Sequence, residues 1–128
     1  MRILLIEDSP GDARLIQELL ARGDGGGYEV VCAQRLASGL ARIEEEAFDV
    51  ILVDLSLPDS WGLETLAAVK AKAPDVPVVV LTGFGDRMVA LRAKQEGAQA
   101  YLVKDDVSGP LLERTIQGAL EARVEQGQ

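Results

Sequence analysis

Five short, almost unbroken apolar runs punctuate the chain, at Ile3–Ile6, Val30–Ala33, Val50–Val53, Val78–Leu81 and Ala100–Val103. A strand with one wet face alternates polar and apolar residues. A strand covered on both faces has no need to, so continuous runs of this length point to a parallel sheet sandwiched between helices. The run at Val30–Ala33, entered from Tyr28, is the weakest and suits an edge. Between the runs the spacing becomes helical. Leu15, Ile16, Leu19 and Leu20 form one stripe, which ends at the glycine cluster Gly23–Gly27, read as a flexible loop. Leu36, Leu40, Ile43 and Ala47 form a second, and Leu63, Leu66 and Ala67 a third that Pro74 closes. Met88–Ala93 is a short, poorly amphipathic fourth helix. Leu112, Ile116, Ala119 and Leu120 mark the fifth, with Pro110 near its first turn. Strand–helix alternation predicts βαβ units with right-handed crossovers: an α/β fold, doubly wound, with five parallel strands and five helices.

The chain has 128 residues, the size of one domain. We read that domain as residues 1–123, with 124–128 a polar tail or the start of a linker. With 48% hydrophobic and 27% charged residues the composition is globular, which excludes intrinsic disorder. The net charge of −8 argues against nucleic acid or an anionic membrane as a partner, since both require a basic footprint. The first apolar run stops at Glu7-Asp8 and is too short for an export signal or a membrane span, so a cytoplasmic location is expected. One cysteine, Cys32, fits a reducing compartment and reads as a small core residue of the second strand. There is no histidine, which excludes serine–histidine hydrolysis, histidine-ligated zinc and a phosphohistidine carrier within these residues.

In open parallel sheets the site lies beyond the carboxyl ends of the strands, where the strand order reverses. Here strand one runs into Glu7-Asp8, strand three into Asp54, strand four into Thr82 and strand five into Lys104. In the order 2-1-3-4-5, strands one and three are neighbours, so Asp8 and Asp54 meet. Converging carboxylates repel, and a hard cation such as magnesium relieves this while leaving room for a phosphate oxygen. An aspartate is also a nucleophile for phosphoryl groups. A cation, a hydroxyl and a lysine around it would neutralise the transferring charge. Taken singly, each residue has a plainer reading. Glu7 and Asp8 fit a βα turn with Asp12 capping the next helix, Thr82 a turn, and Lys104 a solvated charge. Their joint placement favours a site.

The segments Leu4-Leu5-Ile6-Glu7-Asp8, Asp54-Leu55-Ser56-Leu57-Pro58 with Gly62, Leu81-Thr82-Gly83 and Tyr101-Leu102-Val103-Lys104 resemble the receiver domain of bacterial two-component response regulators. The resemblance spans essentially the whole chain and implies a flavodoxin-like fold. It implies that Asp54 is the phospho-acceptor, and that Asp8, Asp54 and the Ser56 backbone carbonyl bind Mg2+, with Glu7 helping through water. It further implies that Thr82 and Lys104 hold phosphoryl oxygens and that Tyr101 is the aromatic switch. A histidine kinase or a histidine phosphotransfer protein would supply the phosphoryl group. The readout would be a downstream protein target, or an output domain if the chain is a fragment. Such a domain is not an enzyme beyond its own phosphorylation and dephosphorylation.

Three positions depart from the family pattern. Asp105 stands where proline often follows the lysine through a cis bond, so a trans peptide is expected there. Trp61 occupies a place where a small acidic residue is common, and is read as lying over apolar surface. Phe84 lies two residues after the threonine. Two other classes fit less well. An aspartate-nucleophile phosphatase usually needs a second acid where Ser56 stands. A constitutive protein-binding module with a vestigial pocket sits poorly with an intact five-residue set.

Overall fold

The computed structural model describes residues 1–21, 27–83 and 85–126. Five strands, β1 (Arg2–Ile6), β2 (Glu29–Ala33), β3 (Val50–Asp54), β4 (Val78–Thr82) and β5 (Ala100–Val103), form one parallel sheet in the order β2-β1-β3-β4-β5. Five helices accompany them: α1 (Pro10–Ala21), α2 (Leu36–Glu45), α3 (Leu63–Lys72), α4 (Arg87–Gln95) and α5 (Gly109–Gln126). This is the expected doubly wound, flavodoxin-like architecture.

The continuous apolar runs divide by parity between the two faces of the sheet. Leu4, Ile6, Ile51, Val53, Val78 and Val80 face one way and pack with Leu66 and Val69 of α3 and Ala93 of α4. Ile3, Leu5, Val50, Leu52, Val79 and Leu81 face the other, against Ile16 and Leu20 of α1 and Leu112, Ile116 and Ala119 of α5. Each fully buried aliphatic side chain contributes about 1.5–3 kcal/mol, so two dry faces explain why no strand in the middle of the sheet alternates.

Several details differ from the sequence-based expectation. The second apolar stripe overreaches: α2 ends at Glu45, beyond which Phe48 rather than Ala47 plugs the core. Cys32 is only half-buried, because β2 is an edge strand, and it accepts a hydrogen bond from Gln17 Nε2 at 2.9 Å. Burial still raises its thiol pKa. A two-residue hairpin, Ser56–Leu57 paired with Ser60–Trp61, follows β3 and had no signature in the hydrophobic pattern. Glu46, just past the end of α2, pairs with both Arg2 and Arg42 and ties β1 to that end. Residues 22–26, most of the glycine cluster, and Phe84 lie outside the described residues, as do Gly127 and Gln128. Within the segment read as a tail, α5 continues through Gln126. Among the described residues no helix is long and apolar enough to cross a membrane.

Candidate functional site

A cleft of about 510 Å³ opens beyond the carboxyl ends of β1, β3, β4 and β5. Glu7, Asp8, Asp54, Ser56, Thr82, Tyr101 and Lys104, the whole set singled out from sequence, line it together. The parallel register explains their convergence. Ile6 is level with Val53, Asp54 with Leu81, and Thr82 with Val103, so the residues that end or follow these strands arrive on one edge. Asp54 and Thr82 are the last residues of β3 and β4 rather than the first residues of loops. Lys104 opens a single 3-10 turn, Lys104–Asp106. All peptides among the described residues are trans, Lys104–Asp105 included.

Asp54 is buried, and both its oxygens are engaged. Oδ1 accepts from the Ser56 N–H at 2.9 Å and Oδ2 from Lys104 Nζ at 2.7 Å. Glu7, also buried, accepts from the Ser9 N–H at 3.1 Å through Oε1 and pairs with Lys104 Nζ at 2.6 Å through Oε2. Its own backbone N–H donates to the Ala33 carbonyl at 2.9 Å, which fixes the turn leaving β1. Burial pushes the Glu7 carboxyl up to about 7; the charge of Asp54 adds to that, and the bonds from Lys104 and Ser9 oppose it. Burial alone would lower the Lys104 ammonium. Hydrogen bonds to Asp54, Glu7 and Asp12 outweigh it, and the net shift is upward.

Asp8 is exposed, yet one oxygen from each of Glu7, Asp8 and Asp54 lies within 4.8 Å of the others. Three hard oxygen donors at that spacing, one open to solvent and two buried, suit a small divalent cation that keeps several waters. Softer ions that favour sulfur or imidazole find no such ligand here.

The loop after β3 is held in shape by its own contacts. Gly62 has φ of +71°, a left-handed conformation that costs a side-chain-bearing residue, and its N–H closes the loop onto the Leu55 carbonyl at 2.7 Å. The Ser60 and Thr65 hydroxyls meet at 2.6 Å. Asp59 accepts from the Leu36 and Ala37 N–H groups at 2.8 and 2.9 Å, so the loop that follows Asp54 also caps α2. Those backbone bonds hold the Asp59 carboxyl below its ordinary range.

Two expectations fail at the rim. Trp61 does not lie over apolar surface; it stands 75% exposed at the mouth of the cleft. Asp12 does not cap α1, since Ser9 Oγ takes that role by accepting the Asp12 N–H at 3.3 Å. The Asp12 carboxylate instead reaches Lys104 Nζ at 3.0 Å. Sequence reasoning missed this third partner. The available signal was its position four residues after Asp8, in the first helical turn beyond the acidic pair.

Tyr101 packs on the face shared with α3 and α4, beside Val89 and Ala93, and its ring also borders the cleft. It therefore bridges the charged pocket and the α4 surface.

The response regulator receiver domain family model matches residues 3–115. The transcriptional regulatory protein ZraR of Salmonella typhimurium is 32% identical over 125 residues, covering 98% of this chain and 27% of that protein. A CheY-like response regulator receiver domain protein from Methanospirillum hungatei superposes with a TM-score of 0.84 at 30% identity, over 98% of this chain and 97% of the other. A receiver domain protein from Clostridium thermocellum gives 0.84 at 31%, over 98% of both chains. The fold and these matches define a receiver-type module of two-component signalling. The chain belongs to the response regulator receiver domain family of two-component systems. It spans about a quarter of the length of curated relatives such as ZraR and GlrR.

Proposed function

We propose that this chain accepts a phosphoryl group on Asp54 and uses the resulting charge to alter a protein-binding face. The observation that carries the reading is the placement of Asp54: buried at the sheet's switch point, 2.7 Å from Lys104 Nζ, with Glu7 and Asp8 alongside. The donor class is a phosphohistidine on a histidine kinase or a histidine phosphotransfer protein, because these residues contain no histidine of their own. A carboxylate oxygen of Asp54 forms the new O–P bond as the P–N bond to the donor imidazole breaks, and the electron pair leaves with the imidazole nitrogen. Asp8, Asp54 and the Ser56 carbonyl would hold Mg2+, with Glu7 acting through water. That ion would neutralise charge on the transferring group. Lys104, already at hydrogen-bond distance from Asp54, meets the phosphoryl oxygens as a point charge, and the Thr82 hydroxyl offers a second donor. Once Thr82 turns toward the phosphoryl group, Tyr101 moves inward on the α4 side and reshapes the surface of α4, β5 and α5. The readout is then a contact with a downstream protein or an attached output domain, within the cytoplasm.

The test is mass spectrometry of the intact chain after exposure to a small acyl-phosphate with magnesium. A single phosphoryl adduct is expected, lost in chelator and lost in Asp54→Asn. Equal incorporation into Asp54→Asn would overturn the assignment.

A further inference from the structure

Lys104 has three ammonium protons and meets three carboxylates: Glu7 Oε2 at 2.6 Å, Asp54 Oδ2 at 2.7 Å and Asp12 Oδ2 at 3.0 Å. Its donor capacity is therefore fully used. The three acceptors are not equivalent. The side chains of Glu7 and Asp54 are 2% and 5% exposed, whereas that of Asp12 is 46% exposed. An anionic group entering beside Asp54 must take a proton from one of these bonds. Losing the Glu7 bond strands a buried carboxylate without water, while Asp12 exchanges its bond for solvent at little cost. The longest bond is also the most hydrated one, so it is the one that yields. Asp12 moreover sits on the first turn of α1 and lines the cleft, which places its negative charge on the path of an approaching anion.

Resting on the reading of Asp54 as phospho-acceptor, we propose that Asp12 is a positioning residue that acts through Lys104. In the unmodified protein it holds the third ammonium proton and keeps the lysine centred among the carboxylates. On phosphorylation it gives up that hydrogen bond, and the Lys104 N–H donates to a phosphoryl oxygen instead. Because it competes for the donor that the phosphoryl group needs, Asp12 weakens the affinity of the site for phosphoryl-like anions. A merely structural salt bridge would behave differently: its removal would lower the melting temperature and leave anion affinity unchanged.

Fluoroberyllate, a tetrahedral stand-in for a phosphoryl group, is titrated in saturating magnesium, with the fluorescence of Trp61, the single tryptophan, as the signal. Asp12→Asn and Asp12→Ala are both expected to bind about two- to fivefold more tightly, the scale of a half-exposed ion pair, and the gain should shrink as salt rises. Glu18→Gln removes the same charge from the same helix, where Glu18 pairs with Arg14, and should leave affinity unchanged. Equal or weaker binding by both Asp12 variants, in a parent that binds through Asp54, overturns this inference alone. An equal gain in Glu18→Gln overturns it in favour of net charge. A parent that binds no fluoroberyllate overturns both this inference and the phospho-acceptor reading.

Discussion

Replacing Lys104 by methionine tests whether one ammonium holds the acidic cleft together. Methionine keeps most of the apolar stem and deletes the charge, so packing changes little. The lysine side chain is 14% exposed and lies 2.6 and 2.7 Å from carboxylates that are almost fully buried. Removing one partner of a buried ion pair costs about 3–5 kcal/mol, because the survivor stays desolvated and unpaired. Asp12 adds little, since an exposed pair contributes about 0–1 kcal/mol. Protonation limits the loss from Glu7, whose carboxyl already titrates near 7, and leaves the larger share with Asp54. A loss of about 3–5 kcal/mol is a large fraction of a typical domain stability of about 5–15 kcal/mol. Urea unfolding followed by far-UV circular dichroism, in chelator, at neutral pH, measures it. The denaturant midpoint should fall with the slope unchanged. Acidification should restore much of the loss by neutralising the stranded carboxylates, and millimolar magnesium should restore it by mass action. A Lys104→Met variant as stable as the parent, with the same dependence on pH and magnesium, would refute the claim that Lys104 neutralises the cluster.

Two further outcomes are expected. In chelator the fold favours the neutral form of Glu7, because burial pushes its carboxyl up to about 7 from an ordinary 4.5. Its stabilising contribution is therefore present below about pH 4.5 and disappears as pH rises through about 7, a change of about 3 kcal/mol. Denaturant midpoints across that window should fall with rising pH in the parent and stay flatter in Glu7→Gln; parallel profiles would contradict the assignment. Gly39→Ala places a Cβ 2.5 Å from Ile6 Cδ1 and 2.9 Å from Cγ1, in the buried contact between α2 and β1. Overpacking of about 1–3 kcal/mol should outweigh the gain of about 1 kcal/mol in helix propensity, so thermal unfolding should show a lowered midpoint, and a raised one would show that Ile6 yields freely.

The sheet and its functional edge were legible in the residues because both rest on local, periodic signals. Unbroken runs such as Val50–Val53 announce strands buried on two faces, and in a parallel sheet the residue after each run must lie on the carboxyl edge. Glu7, Asp8, Asp54, Thr82 and Lys104 are therefore placed together by the sequence pattern alone. What the tertiary structure decided was how the charges are partnered. Asp12 and Lys104 are 92 residues apart. Either partner fits a local role, a helix cap for Asp12 and a solvated charge for Lys104, so no periodicity distinguishes those roles from an ion pair across the cleft. Asp59 shows the same limit: nothing beside it in the chain marks its role, yet it caps a helix that begins 23 residues earlier. Hydrophobic burial writes itself into sequence as a repeating pattern, whereas the choice among alternative polar partners depends on distances that only the packed chain sets.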